Sequence, residues 1–135
     1  MSNGVQQIFR EHVHTVESRS GLTLPPLVKL YVAEILMYYI DKPEEISPEH
    51  PYAIRLREIT SRIQAKQIGD ELLWVSGVLG SPRRRYGVTR EYYCELGSQA
   101  YSMTESDTLH TIADHFRVVS DFVRIATRDC PRDYF

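Results

Sequence analysis

The sequence predicts an all-α protein, a compact antiparallel bundle of about five helices, and three observations carry that expectation. Apolar residues recur at three- and four-residue steps through five segments, which is the period of one helix face. No stretch alternates apolar and polar residues between turn signals, as a half-buried strand does. Short connections and one longer polar loop join the segments, which suits helices packed around a common core.

Residues 4–19 set Val5, Ile8, Phe9, His12, Val13 and Val16 on one face, and Ser18 to Gly21 ends the segment. In LTLPPLVKLYVAEILMYYI, Thr23 can cap a second helix and Pro25-Pro26 can open it, because a first-turn N–H has no intrahelical partner to lose. Leu27, Leu30, Tyr31, Ile35, Leu36, Tyr38 and Tyr39 make this helix apolar nearly all round, so it is expected to be the central one. DKPEEISPEHPY is the longer loop, with Ser47-Pro48-Glu49 resembling a helix entry.

From Tyr52 to Leu79, Ile54, Leu56, Ile59, Ile63, Ile68, Leu72, Val75 and Leu79 predict one long helix. Its only interruption is Gly69, where a kink is expected. Thr89 is placed to cap REYYCELGSQAYSM, with Glu91 in the first turn where the helix dipole favours negative charge. Ser106 or Asp107 caps the last helix, TLHTIADHFRVVSDFVRIATR. Leu109, Ile112, Ala113, Phe116, Val119, Val123 and Ala126 form its core stripe, widened by Val118, Phe122 and Ile125.

A length of 135 residues fits a single domain spanning residues 1–135, and 42% hydrophobic with 25% charged residues argues against disorder. The net charge of -2 disfavours nucleic-acid binding by the domain as a whole, because neutralising many phosphates takes a basic excess. A local basic turn at Arg83, Arg84, Arg85 and Arg90 escapes that objection. Cys94 and Cys130 are too few and too far apart for a disulfide framework or a zinc site. MSNGVQQIFREHVH lacks a signal-peptide layout, and the most apolar run, Leu22 to Ile40, is broken by Pro25, Pro26, Lys29 and Glu34. A cytoplasmic protein with no membrane span is expected.

The stretch SGVLGSPRRR invites a phosphate-loop reading. A Walker-type loop places lysine and a hydroxyl directly after its glycines, and a dinucleotide loop follows a strand; neither condition is met. Gly80 with Pro82 two residues on reads better as a helix stop, and arginines suit the negative end of the helix dipole. The remaining reading is an anion- or acidic-partner-binding patch. His110 and Asp114 share a helix face, but neither the His-Glu pattern of helical zinc proteases nor the Glu-x-x-His pairs of di-iron bundles occurs. Cys94 lies inside a helix, away from the N-terminal position that activates thiols, and reads as a packed thiol.

Asp70 follows Gly69 on the apolar side of the long helix and must find hydrogen-bond partners or a cation if buried; downstream tyrosines and arginines are the natural candidates. Glu44-Glu45 and Asp70-Glu71 are adjacent pairs, so they diverge on a helix and form no acid/base pair by themselves. In EYYCELGSQAYSM, Tyr93, Leu96, Gly97, Ala100 and Met103 or Thr104 line one face, the small residues allow close helix approach, and Tyr92 and Tyr101 flank it.

Gly69-Asp70, LLWVSGVLG, the arginine turn, Tyr92-Tyr93, Gly97 and Ala100-Tyr101 together resemble a group of small bacterial helical proteins with a GD…L…SG…YY…G…AY layout. The resemblance covers the central third of the chain and implies a bacterial all-helical domain, with no activity attached. The functional expectation is a non-enzymatic protein-interaction module that forms a homodimer, without metal or cofactor. The alternative is a regulator binding an acidic ligand or nucleic acid through Arg83–Arg85 and Arg90, with Asp70, Tyr92 and Tyr101 as neighbouring site residues. A third class, an enzyme or metal protein, would use Asp70, Cys94, His110 and Asp114.

Overall fold

Helix α1 (Ser2–Ser20) stops where Gly21 takes a φ of +74°, a left-handed conformation that costs glycine nothing and lets its N–H bond back to the Glu17 carbonyl at 3.3 Å. The computed structural model describes residues 2–40, 52–78 and 90–129. Helix α2 (Pro26–Tyr39) opens with Pro25 at its N-cap in extended backbone and no side-chain cap. Thr23 therefore does not take the capping role its position suggests. With prolines at 25 and 26, two N–H groups that a cap would satisfy are absent. Glu17 organises the entry instead, its carboxylate accepting from the Leu24 N–H at 3.0 Å and from Lys29 Nζ at 3.0 Å. The Leu24 bond, then Lys29, holds the Glu17 carboxyl below the usual carboxylate range.

The predicted long helix is two helices, α3 (Tyr52–Arg57) and α4 (Arg62–Val78). The break falls at Thr60-Ser61, ahead of Gly69. Ser61 Oγ accepts from the Gln64 N–H at 3.2 Å, while Gln64 Oε1 accepts from the Thr60 N–H at 2.8 Å, a close relative of the capping box. Gly69 sits inside an uninterrupted α4. Its absent side chain makes room: a Cβ there would stand 2.4 Å from Tyr101 Cδ1.

Helix α5 (Arg90–Ser102) follows, and the last predicted helix again divides, into α6 (Asp107–Asp114) and α7 (Phe116–Arg128). Of the two expected caps, Ser106 and Asp107, Ser106 caps α6, accepting from the Leu109 N–H at 3.2 Å. His115, at φ −128° and ψ 31°, joins the two helices directly. Beyond it the Phe116 ring fills the space over Gly97, where a Cβ would meet Phe116 Cζ at 2.1 Å. Gly97→Ala is therefore expected to destabilise the protein by about 2 kcal/mol, because overpacking outweighs the roughly 1 kcal/mol gained in helix propensity. Denaturant melts check this, and in a Phe116→Leu background the same substitution should become neutral or stabilising.

All seven helices among the described residues contribute to one apolar core. Its centre is α4, with ten of seventeen residues buried and contacts to α2, α3, α5 and α7. The expected central helix, α2, is instead peripheral: Val28, Val32, Ile35 and Leu36 point inward while Leu27, Leu30 and Tyr38 face outward. Ile54, Ile63 and Val118, expected in the core, are also exposed. Each lies off the inward row of its helix, on α3, α4 and α7 respectively. No helix among the described residues is long and apolar enough to cross a membrane. The Ser47 entry, the Gly80-Pro82 stop, the Thr89 cap, Cys130 and Arg83–Arg85 lie outside the described residues.

Candidate functional site

Adjacent positions on a helix point about 100° apart, so Asp70 and Glu71 leave α4 in different directions. Both are buried, at 8% and 7% exposure, and each must find its own partners. Asp70 Oδ1 accepts from the hydroxyl of Tyr31 on α2 and, at 2.6 Å, from that of Tyr101 on α5. Its Oδ2 accepts from Lys66 Nζ, one turn earlier, at 3.0 Å. The two tyrosine rings meet edge to face at 6.2 Å, and Lys66 Nζ sits 5.5 Å from the centre of the Tyr31 ring. Burial first, and the Asp70 charge second, push both hydroxyls well above the ordinary tyrosine range. They serve as donors and not as bases.

Glu71 faces α3. Arg55 clamps it with two bonds of 3.0 and 2.8 Å, and the Tyr52 hydroxyl reaches Oε1 at 3.4 Å. Burial, then the Glu71 charge, raises the Tyr52 hydroxyl, and the Glu71 bond raises the Arg55 guanidinium. This pair is absent from the sequence-level candidates. Only a contact across the Thr60-Ser61 break creates it.

Arg90, which the sequence groups with Arg83–Arg85 in one basic patch, is 3% exposed. Nε donates to the Ser76 carbonyl at 2.9 Å, while Nη2 donates to Ser120 Oγ at 2.9 Å and Asp121 Oδ1 at 2.6 Å. Ser76 and Ser120 share a further bond of 2.8 Å. The guanidinium thus ties α5 to α4 and α7 and offers nothing to a ligand outside. Cys94 lies close by, its thiol pushed up by burial against the smaller opposing effects of Ser120 and Arg90, which is the reverse of an activated nucleophile.

Of the remaining sequence candidates, Tyr101 joins Asp70 as described, and Tyr92 stands on the exposed side of α5. His110 and Asp114 do not pair; His110 Nε2 lies 2.5 Å from the Thr104 carbonyl oxygen. Among the described residues no group of three or more His, Cys, Asp or Glu is placed to hold a metal.

A cleft of about 690 Å³ lies between α2 and α4, bordered by Gln6 of α1. Tyr31, Glu34, Ile35, Met37, Tyr38 and Tyr39 form one wall, and Ile63, Lys66, Gln67 and Asp70 the other. Sequence pattern singles out Asp70 but not these companions, although Tyr31, Glu34 and Tyr38 stand at helical spacing. Comparison of the chain with protein-family models, with curated proteins and with solved structures returned no match.

Proposed function

We propose that this chain is a non-enzymatic helical interaction module of the bacterial cytoplasm and that its partner is a second copy of itself. The observation that carries the reading is the outer face of α2, where Leu27 and Leu30 are 63% and 41% exposed. Leu30 also borders the shallow groove between α1 and α2, beside Phe9, Ala33 and Met37 and the charged Arg10 and Glu34. Adjoining aliphatic residues of this kind mark association surfaces more often than scattered single exposures do. A two-fold axis along α2 packs each stripe against its copy. The interior polar groups support the same reading, because Asp70, Glu71 and Arg90 are engaged in holding helices together.

The alternative, an acidic-ligand or nucleic-acid regulator acting through Arg83–Arg85 and Arg90, loses its fourth arginine to the core. Sedimentation of the native chain at micromolar concentration is expected to give a dimer mass. Leu27→Glu with Leu30→Glu should give a monomer with an unchanged helical spectrum. A native chain that stays monomeric over that range would rule the proposal out.

A further inference from the structure

We infer that the cleft between α2 and α4 is a binding site for a small organic cation, an ammonium compound with an apolar body. This goes beyond self-association and rests on a different cleft, which shares Glu34 and Met37 with the groove beside Leu30. Tyr31, Glu34 and Tyr38 follow one another at steps of three and four on α2, so they share a face, and all three line the cleft. A carboxylate thus stands one turn from a tyrosine ring on either side. Glu34 is exposed and has no ion-pair partner among the described residues. Carboxylate plus aromatic faces is the combination that recognises ammonium groups.

The opposite wall supports the same sign of charge. Asp70 and Lys66 neutralise each other at 3.0 Å, which leaves the Glu34 charge uncompensated within the cleft. Burial first, then Asp70 and, least, Glu34, raise the Tyr31 hydroxyl, so it stays a neutral donor in the cleft wall. Lys66 Nζ, 5.5 Å from the Tyr31 ring centre, shows that a cation is accommodated against this wall. Ile35, Met37 and Ile63 supply the apolar contact for the body of the ligand. The volume of about 690 Å³ falls within the roughly 300–1,000 Å³ of small-molecule sites. An anion fares worse here, since the one cation already has a carboxylate partner.

Trp74, the single tryptophan, reports on the site. It stacks on Tyr39 with ring centres 5.8 Å apart, and Tyr39 lines the cleft. The test compares phenethylamine, 2-phenylethanol and 3-phenylpropionate, which keep one aromatic body and change the charge from positive to neutral to negative. Calorimetry on the full chain measures binding and Trp74 fluorescence locates it. The amine is expected to bind about ten-fold more tightly than the alcohol, with the acid weakest, and to change Trp74 emission saturably. Glu34→Gln should remove most of that preference. Lys66→Met, by deleting a competing cation, should strengthen amine binding. Absence of amine binding at millimolar concentration, an equal or better affinity for the alcohol or the acid, or loss of binding in Lys66→Met overturns the proposal. Leu27→Glu alone, two turns from Glu34, should bind the amine as the native chain does, which separates failure of this site from failure of the dimer.

Discussion

Raising the pH above about 10 is expected to unfold the protein rather than merely ionise its tyrosines. The hydroxyls of Tyr31, Tyr39, Tyr52 and Tyr101 are all raised, by burial first and then by the charge of Asp70 or Glu71. A group whose folded pKa lies above its unfolded one stabilises the fold fully below the unfolded value, and that contribution is lost as pH rises toward the folded one. Each tyrosine then withdraws about 1.4 kcal/mol per pH unit, and the four together roughly 5 kcal/mol. Two units therefore withdraw about 11 kcal/mol, enough to consume most of a typical stability of about 5–15 kcal/mol. Tyrosinate absorbance and helical circular dichroism, followed together, should change in one cooperative step between pH 10 and about 12. Full ionisation of these tyrosines with the helical signal intact would show that they are not buried as described.

Asp70→Ala is the single substitution with the largest expected cost, about 3–5 kcal/mol in denaturant unfolding. It removes the acceptor of two hydroxyls at once, and that of Tyr101 belongs to a wholly buried side chain. Asp70→Asn keeps one carbonyl acceptor and should cost about half as much. The diagnostic is the double variant: with Asp70 already alanine, Tyr101→Phe removes the orphaned hydroxyl and should restore part of the loss. A cost for Asp70→Ala below about 1 kcal/mol would mean that the network contributes little.

Helix class and most of the core were legible because a buried helix face repeats every three or four residues, and Ser106 was legible because a cap is a local event. The errors are instructive at particular residues. Ser61-Arg62-Ile63-Gln64 carries the signature of a helix start, but Ile59 and Ile63 continue the apolar spacing across it and mask the break. Nothing local marks His115, where the division accompanies the seating of Phe116 on Gly97. Gly97 and Ala100 are readable as close-approach residues, and the same reasoning explains Gly69 better than a kink does.

The burial of Asp70 follows from its place among apolar neighbours, but not its partners: Tyr31 is 39 residues before it and Tyr101 31 after. For Arg90, the nearby arginine triplet suggested one basic patch, whereas Ser76, Ser120 and Asp121, on two other helices, determine its position. Contacts of that range are set by the assembled fold and leave no periodic trace in the chain.

The divergence of Asp70 and Glu71 also bears on how the molecule opens. One carboxylate is answered from α2 and α5, the other from α3, and both stand on α4. Lifting any one of these helices away strips partners from a charge in a poorly solvated place, a state costlier than the contacts alone suggest. Partial detachment is thereby penalised relative to leaving together. These elements belong to one cooperative unit, and their amide hydrogens should exchange with solvent through a shared opening, while the ends of α1 fray independently.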